Sequence, residues 1–170
     1  MNQEDVDMLI KNNKQTFQDF HDPVLIPSLT RGIKVLLRKS SPFKLDKTEI
    51  VTQNCLAVKV KSASNQEIEI AFVYNPNDES DKISNLRKAL DHMADNGVKN
   101  QMIIGDYNSS MNFEIDYVDY TGDPHKASRN FLHGLQEDGV YIDVYRFLYP
   151  YNYSYTWHVP RTPLGLPILA

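Results

Sequence analysis

Between Glu67 and Gly105 the chain passes from an extended run to a helix and back to an extended run, and that order restricts its fold more than any other feature. Glu67 to Tyr74 alternates apolar and polar residues, as a half-buried strand does. Asn75-Pro76 stops it, because proline brings no N–H to a ladder. Asp81 to Asn96 spaces Ile83, Leu86, Leu90 and Met93 by three and four, which predicts a helix that Asn96-Gly97 closes. Met102-Ile103-Ile104 then reads as a buried strand running into Gly105. Upstream, Glu49 to Lys61 reads as one strand, with Leu56, Val58 and Val60 alternating against Ala57, Lys59 and Lys61. Ala63-Ser64-Asn65-Gln66 is turn chemistry, so this strand and the next form an antiparallel hairpin. A hairpin followed by strand, helix and strand excludes a purely parallel sheet and predicts a layered α/β domain with mixed sheets.

The flanks fit around that centre. Asn2 can cap a helix whose Val6, Leu9, Ile10 and Phe17 share a face, ending near Phe20 ahead of Asp22-Pro23. A loop through Pro27 follows, then a mostly buried strand from Gly32 to Arg38. After the central strand a polar, Asp-rich loop runs from Asn108 to roughly Pro124, long enough to be functional. Ala127 to Asp138 predicts a helix packing Phe131, Leu132 and Leu135, with Gly139 ending it. Tyr141 to Pro150 is a short apolar element, and Ser154 to Val159 is strand-like.

The chain has 170 residues, 41% of them hydrophobic and 24% charged, which suits one soluble domain with a substantial core. No apolar run is long enough for a membrane span or a signal peptide, so a nuclear or cytoplasmic protein with no membrane partner is the expectation. Cys55, the single cysteine, lies in a strand-like run and reads as a buried structural thiol. A net charge of -4 argues against a general electrostatic grip on nucleic acid. Residues 31–61 nevertheless carry eight Lys or Arg against two acids, Asp46 and Glu49, while the segment after Asn100 is rich in acids. That asymmetry permits a basic phosphate-binding surface beside an acidic centre, and equally permits ordinary solvated lysines. The five histidines show no paired zinc-site spacing, which favours surface or packing roles for them.

Chemistry concentrates in Met102-Ile103-Ile104-Gly105-Asp106-Tyr107-Asn108. Side chains two apart on an extended segment share a face, so Asp106 and Asn108 could address one bound group together. A carboxylate beside an amide suits a phosphate: the amide donates to a phosphoryl oxygen, and the carboxylate holds a metal ion or orients water. The plainer reading is an ordinary turn in which these side chains hydrogen-bond their own backbone. Tyr149, Tyr151, Tyr153 and Tyr155, spaced by two, would form one aromatic face on an extended strand, for packing or for base stacking, and Trp157 reads alike.

Three stretches in order, Val73-Tyr74-Asn75-Pro76-Asn77, Ile104-Gly105-Asp106-Tyr107-Asn108 and Tyr155-Thr156-Trp157, resemble the endonuclease/exonuclease/phosphatase family. The resemblance is to the apurinic-type endonuclease domains of LINE-type retrotransposons, with their Val-Tyr-x-Pro-Asn, Gly-Asp-Phe-Asn and Tyr-Thr-Trp. Arg31 to Leu36 resembles the family's Arg-Gly-Val-Ala-Ile-Leu strand, and Ile142 to Arg146 its Val-Asp-Ile-Trp-Arg.

The resemblance implies a DNase I-like, four-layer αββα sandwich that acts on the phosphodiesters of DNA with Mg²⁺ or Mn²⁺. It implies that Asp106 orients or deprotonates the attacking water, that Asn108 holds the phosphate, and that Tyr74 contacts the phosphate or the developing charge. Asn77, Tyr155 and Trp157, within the matching stretches, are the candidate substrate contacts. Asp106 is the first candidate metal ligand. Glu4, in Gln3-Glu4, is the nearest counterpart of the family's metal-binding Glu, although it also reads as part of a first helical turn. The family's late Ser-Arg-Ile-Asp and Asp-His have no match, since Pro160 to Pro167 follows Trp157 and His158. A single partial domain over 1–170, lacking first and last strands, is therefore expected, with little or no nuclease activity by itself and self-association through open sheet edges. A non-catalytic remnant keeping the fold, and a phosphatase or phosphodiesterase on lipid or small phosphates, are the alternatives.

Overall fold

In the computed structural model, residues 24–26, 33–111 and 125–152 are described. The chain divides into two compact units, Met1–Ser109 and Ser110–Ala170. The first holds a four-stranded mixed sheet in the order β3-β4-β5-β6 and a two-stranded sheet β1-β2. The strands are β1 Val24–Ile26, β2 Ile33–Val35, β3 Lys44–Thr52, β4 Cys55–Lys61, β5 Glu67–Tyr74 and β6 Asn100–Asp106, with helix α1 Glu79–Asn96 between β5 and β6. β3, β4 and β5 pair antiparallel, whereas β5 and β6 run parallel. The hairpin, the helix and the strand after it thus form where their periodicity predicts.

The strands differ from the sequence reading in three ways. The run from Glu49 to Lys61 is two strands, because Gln53-Asn54 makes a tight turn in which the Thr52 hydroxyl accepts the Asn54 N–H at 3.0 Å. That turn has no glycine to announce it. The strand expected over Gly32 to Arg38 is confined to Ile33–Val35, and it pairs with Val24–Ile26, which reads as loop in sequence. β6 is apolar but not buried on both faces: Met102 and Ile104 are 43% and 42% exposed. Among the described residues β6 pairs only with β5, so three apolar residues in a row report composition and not enclosure.

The two faces of the large sheet pack differently. Cys55, Ala71 and Val73 point to one side, where Ala89 and Met93 of α1 close over them with Val51, Ile103 and Tyr107. Small residues at this contact let the helix approach closely. Its inward face is accordingly Lys82, Asn85, Leu86, Ala89 and Met93, turned by one position from the stripe of Ile83, Leu86, Leu90 and Met93. Burial raises the Cys55 thiol to about 11. Farther along the same face the carboxylate of Glu69, 2% exposed, accepts from Asn96 Nδ2 at 2.7 Å, with His92 Nε2 3.6 Å away. The opposite face gathers Leu56, Val58 and Val60 with Ile33, Val35, Phe43, Ile68 and Phe72. Charged residues on the β3 edge, such as Lys47 and Glu49 paired at 2.6 Å, discourage edge-to-edge pairing there.

The second unit contains helix α2 Lys126–Glu137 and a short helix α3 Val144–Leu148. Gly139, at φ 67, follows α2 as predicted. The apolar element from Tyr141 is helical and not extended where it reaches Tyr145 and Tyr149, whose rings sit 5.4 Å apart one turn from each other. Tyr149 and Tyr151 therefore do not begin an extended aromatic ladder, and Tyr153 and Tyr155 lie outside the described residues. So does the helix expected between Asn2 and Phe20.

α1 begins at Glu79, two residues before Asp81. Asp78 is its N-cap, accepting the N–H of Ser80 and Asp81 at 2.9 and 3.1 Å and the Ser80 hydroxyl at 2.7 Å. The Ser80 hydroxyl bond, followed by the backbone bond from Asp81, holds the Asp78 carboxyl below its ordinary 3.8. A carboxyl lowered on folding stabilises the fold above its unfolded value and loses that contribution as pH falls through the folded value. Asp78→Ala is therefore expected to lower the melting temperature at neutral pH, and the gap from wild type to close below the ordinary 3.8. Thermal melts of both proteins across an acid pH series measure this.

Gly105 is the tightest point of the parallel pair. Its φ of 149 belongs to backbone that only glycine adopts readily, and a Cβ there would run into the carbonyl oxygen of Val73. Gly105→Ala is expected to destabilise the protein by roughly 2 kcal/mol or more, combining backbone strain with the clash. Denaturant unfolding measures it, and a cost no greater than a few tenths of a kcal/mol contradicts the tight approach.

Candidate active site

The candidate site is assembled at the C-terminal ends of the parallel pair. β5 and β6 run in register, with Val73 opposite Gly105 and Tyr74 opposite Asp106. Register partners in adjacent strands, about 5 Å apart, send their side chains to the same face. Tyr74 and Asp106 therefore leave the sheet together, on the face away from α1. The backbone seals the junction: Asn75 N–H donates to Asp106 O at 2.8 Å, and Tyr74 N–H donates to Asn54 O at 3.0 Å.

Beyond Asp106 the strand ends, so two-residue alternation does not carry Asp106 and Asn108 to one face as the sequence suggests. A turn brings them together instead. Asp106 Oδ1 accepts the Asn108 N–H at 2.9 Å, and Asn108 takes φ 47, a left-handed conformation that asparagine tolerates better than most residues. The Asn108 carboxamide donates through Nδ2 to Asn75 O. The turn reading of Asp-x-Asn is thus what forms, and it is the turn that joins a carboxylate and a carboxamide at the strand end where Tyr74 stands opposite Asp106. Tyr107 points the other way: its hydroxyl donates to Ile103 O at 2.7 Å and its ring packs on the core under α1.

Sequence inspection missed the residues beneath this turn. Asn75, which the Val-Tyr-x-Pro-Asn pattern leaves open, is 0% exposed. Its Nδ2 donates to Tyr107 O at 3.2 Å, and its Oδ1 accepts from Asn85 Nδ2 of α1 at 2.7 Å. Asn85 Oδ1 in turn accepts from the Thr52 hydroxyl at the end of β3. No local signal marks Asn85, which flanks the stripe of Ile83, Leu86, Leu90 and Met93 and is buried because the inward face is turned by one position; once buried, its amide requires partners.

Asn77 is exposed in the connection that leads to the Asp78 cap. Glu4, Tyr155, Trp157 and His158 lie outside the described residues. Among the described residues no group of three or more His, Cys, Asp or Glu side chains converges as a metal site. Asp106 offers one carboxylate, one oxygen of which already receives the Asn108 N–H. Hard divalent ions take several oxygen ligands, so the described side chains do not by themselves make a Mg²⁺ or Mn²⁺ cage. No described helix is long and apolar enough to cross a membrane.

No protein-family model matches the chain, and no curated protein sequence matches it. Solved structures do. Humanized D. rerio TDP2 carrying 14 mutations aligns over 65% of this chain and 47% of its own, with a TM-score of 0.51 and 17% identity. D. rerio TDP2 complexed with a single-strand DNA product aligns over 65% of this chain and 46% of its own, with a TM-score of 0.50 and 18% identity. The chain spans somewhat under half the length of these structures. At this identity the likeness is one of fold alone: a mixed α/β arrangement shared over part of each structure.

Proposed function

We propose that this chain is a phosphodiester-handling domain of the endonuclease/exonuclease/phosphatase type that acts on DNA, with an endonuclease-like site at the ends of β5 and β6. The observation that carries the proposal is the register pairing of Tyr74 with Asp106, followed at once by the Asp106–Asn108 turn. Carboxyl ends of parallel strands are where α/β sheets receive ligands. In this reading Asp106 orients or deprotonates the attacking water. Asn108 donates its remaining Nδ2–H to a phosphoryl oxygen, and the Tyr74 hydroxyl stabilises charge on the phosphate. Asn77, Tyr155 and Trp157 contact the nucleic acid. The complex of D. rerio TDP2 with a single-strand DNA product supports DNA as the partner.

The four-layer sandwich and a retroelement origin belong to the same reading and rest on the ordered motifs. Mg²⁺ or Mn²⁺ is the cofactor that the resemblance implies, with Asp106 and Glu4 as candidate ligands. The ion would offset phosphate charge. The steps assigned to Asp106, Asn108 and Tyr74 are those these side chains perform themselves.

A non-catalytic module that keeps the fold is the second reading. It is favoured by the commitment of Asp106 Oδ1 and Asn108 Nδ2 to backbone partners, which describes a structural turn as well as a waiting site.

Plasmid nicking with Mg²⁺ or Mn²⁺, by wild type and Asp106→Ala, separates the two. At most slow, metal-dependent nicking is expected from the wild type, and any that occurs is expected to fall by about 10²-fold or more in the variant, the range for loss of a general base. Binding of a single-stranded oligonucleotide with no nicking supports the non-catalytic module. Absence of both nicking and binding overturns the phosphodiester reading.

A further inference from the structure

The buried amides beneath the turn have a single consistent polarity. Thr52 Oγ1–H donates to Asn85 Oδ1, Asn85 Nδ2–H donates to Asn75 Oδ1 at 2.7 Å, and Asn75 Nδ2–H donates to Tyr107 O at 3.2 Å. Thr52 Oγ1 also accepts the Asn54 N–H at 3.0 Å, which leaves its proton to point toward Asn85. The orientation of one carboxamide constrains the next. Rotating Asn85 by half a turn would face its Nδ2 toward the Thr52 hydroxyl and its Oδ1 toward the Asn75 oxygen, two acceptors in contact inside a core. Asn75 is 0% exposed and Asn85 5%, so the bond between them is shielded from solvent. The far end of the chain of bonds is the functional turn: Asn75 O accepts from Asn108 Nδ2, and Asn75 N–H holds Asp106 O at 2.8 Å.

A terminal carboxamide torsion is otherwise broad and roughly two-fold. Free in solvent, the Asn108 side chain would present oxygen or nitrogen with similar ease, and only the nitrogen attracts an anionic oxygen. The bond to Asn75 O decides which atom is which, and it requires the Asn75 main chain to stay in place.

We propose that Asn85, a helix residue remote in sequence from the motif, is a positioning residue: acting through Asn75, it fixes the Asn108 carboxamide with its free N–H presented to a phosphodiester oxygen. This inference rests on the phosphodiester reading for its ligand, but its structural half concerns Asn108 alone. Asn85→Asp keeps the size of the side chain, removes the donor to Asn75 and sets oxygen against oxygen. Thr52→Val acts from the other end, deleting the hydroxyl that orients Asn85 while leaving both asparagines in place. Val60→Ala, in the cluster on the opposite face of the sheet, is the control for general loss of stability.

The test uses the whole chain and two readouts. The first is the NMR signal of the Asn108 side-chain amide, assigned by its loss in Asn108→Ala, in protein without ligand. The second is the affinity for a short fluorescein-labelled single-stranded oligodeoxynucleotide. Asn85→Asp and Thr52→Val are expected to shift or broaden the Asn108 amide signal and to weaken oligonucleotide binding by about ten-fold, the scale for one mispaired buried polar group. Val60→Ala is expected to lower the melting temperature while leaving both readouts at wild-type values. An unmoved Asn108 signal in folded Thr52→Val and Asn85→Asp overturns the positioning role. Equal weakening by Val60→Ala at matched stability overturns it too, by showing a general softening. If the wild type does not bind the oligonucleotide, the phosphodiester reading fails and the ligand half of the proposal with it, while the amide signal still decides whether Asn85 positions Asn108.

Discussion

The fold around the strand ends depends on one buried asparagine. Asn75 sits where β5 stops and is fully enclosed, and each of its polar groups is used: N–H to Asp106, carbonyl from Asn108, Oδ1 from Asn85, Nδ2 to Tyr107. It joins the antiparallel half of the sheet to the parallel half, and both to the helix that crosses between them. A buried polar group left without partners costs about 1–3 kcal/mol, so a network of this kind tolerates one arrangement and penalises the others. An apolar residue at this place could fill the volume, but it would not specify where Asp106 and Asn108 stop.

Around that point the sheet separates its tasks by face. The side under α1 is narrow and made of small residues, which lets the helix sit close and brings Asn85 within reach of Asn75. The other side carries larger aliphatic and aromatic residues, and it is from this face that Tyr74 and Asp106 project. The helix support and the candidate site residues Tyr74 and Asp106 are therefore on opposite surfaces of the same strands. Gly105 makes the arrangement possible, since any Cβ there would push β6 off the Val73 carbonyl and break the register that pairs Tyr74 with Asp106.

Much of this architecture is legible in the sequence because it follows from periodicity. The alternation in Glu67 to Tyr74 and the glycine after Asn96 each record a local preference and form where they predict, while the stripe in α1 predicts the helix but places its inward face one position off. What escapes are features whose cause is not local. Gln53-Asn54 turns because the Thr52 hydroxyl and the strands on either side hold it, not because its residues favour a turn above all else. Val24–Ile26 is extended because Ile33–Val35 offers it a partner. Asp106 and Asn108 are identifiable from their order with Tyr74, but the turn that joins them is a tertiary fact, and Asn75 and Asn85 gain their meaning only once helix and strand meet. Glu4, Tyr155 and Trp157 lie outside the described residues.

Cys55 gives the same core a built-in chemical clock. Its thiol is buried at the heart of the cluster under α1, with its acidity suppressed to about 11, so at neutral pH almost none of it is thiolate. Since the thiolate is the reactive form, an alkylating reagent can capture this cysteine only when the cluster around it opens. The rate of capture then reports how often the core beneath the helix that carries Asn85 comes loose. Because the chain has one cysteine, that rate can be read on the natural sequence without adding or removing a thiol.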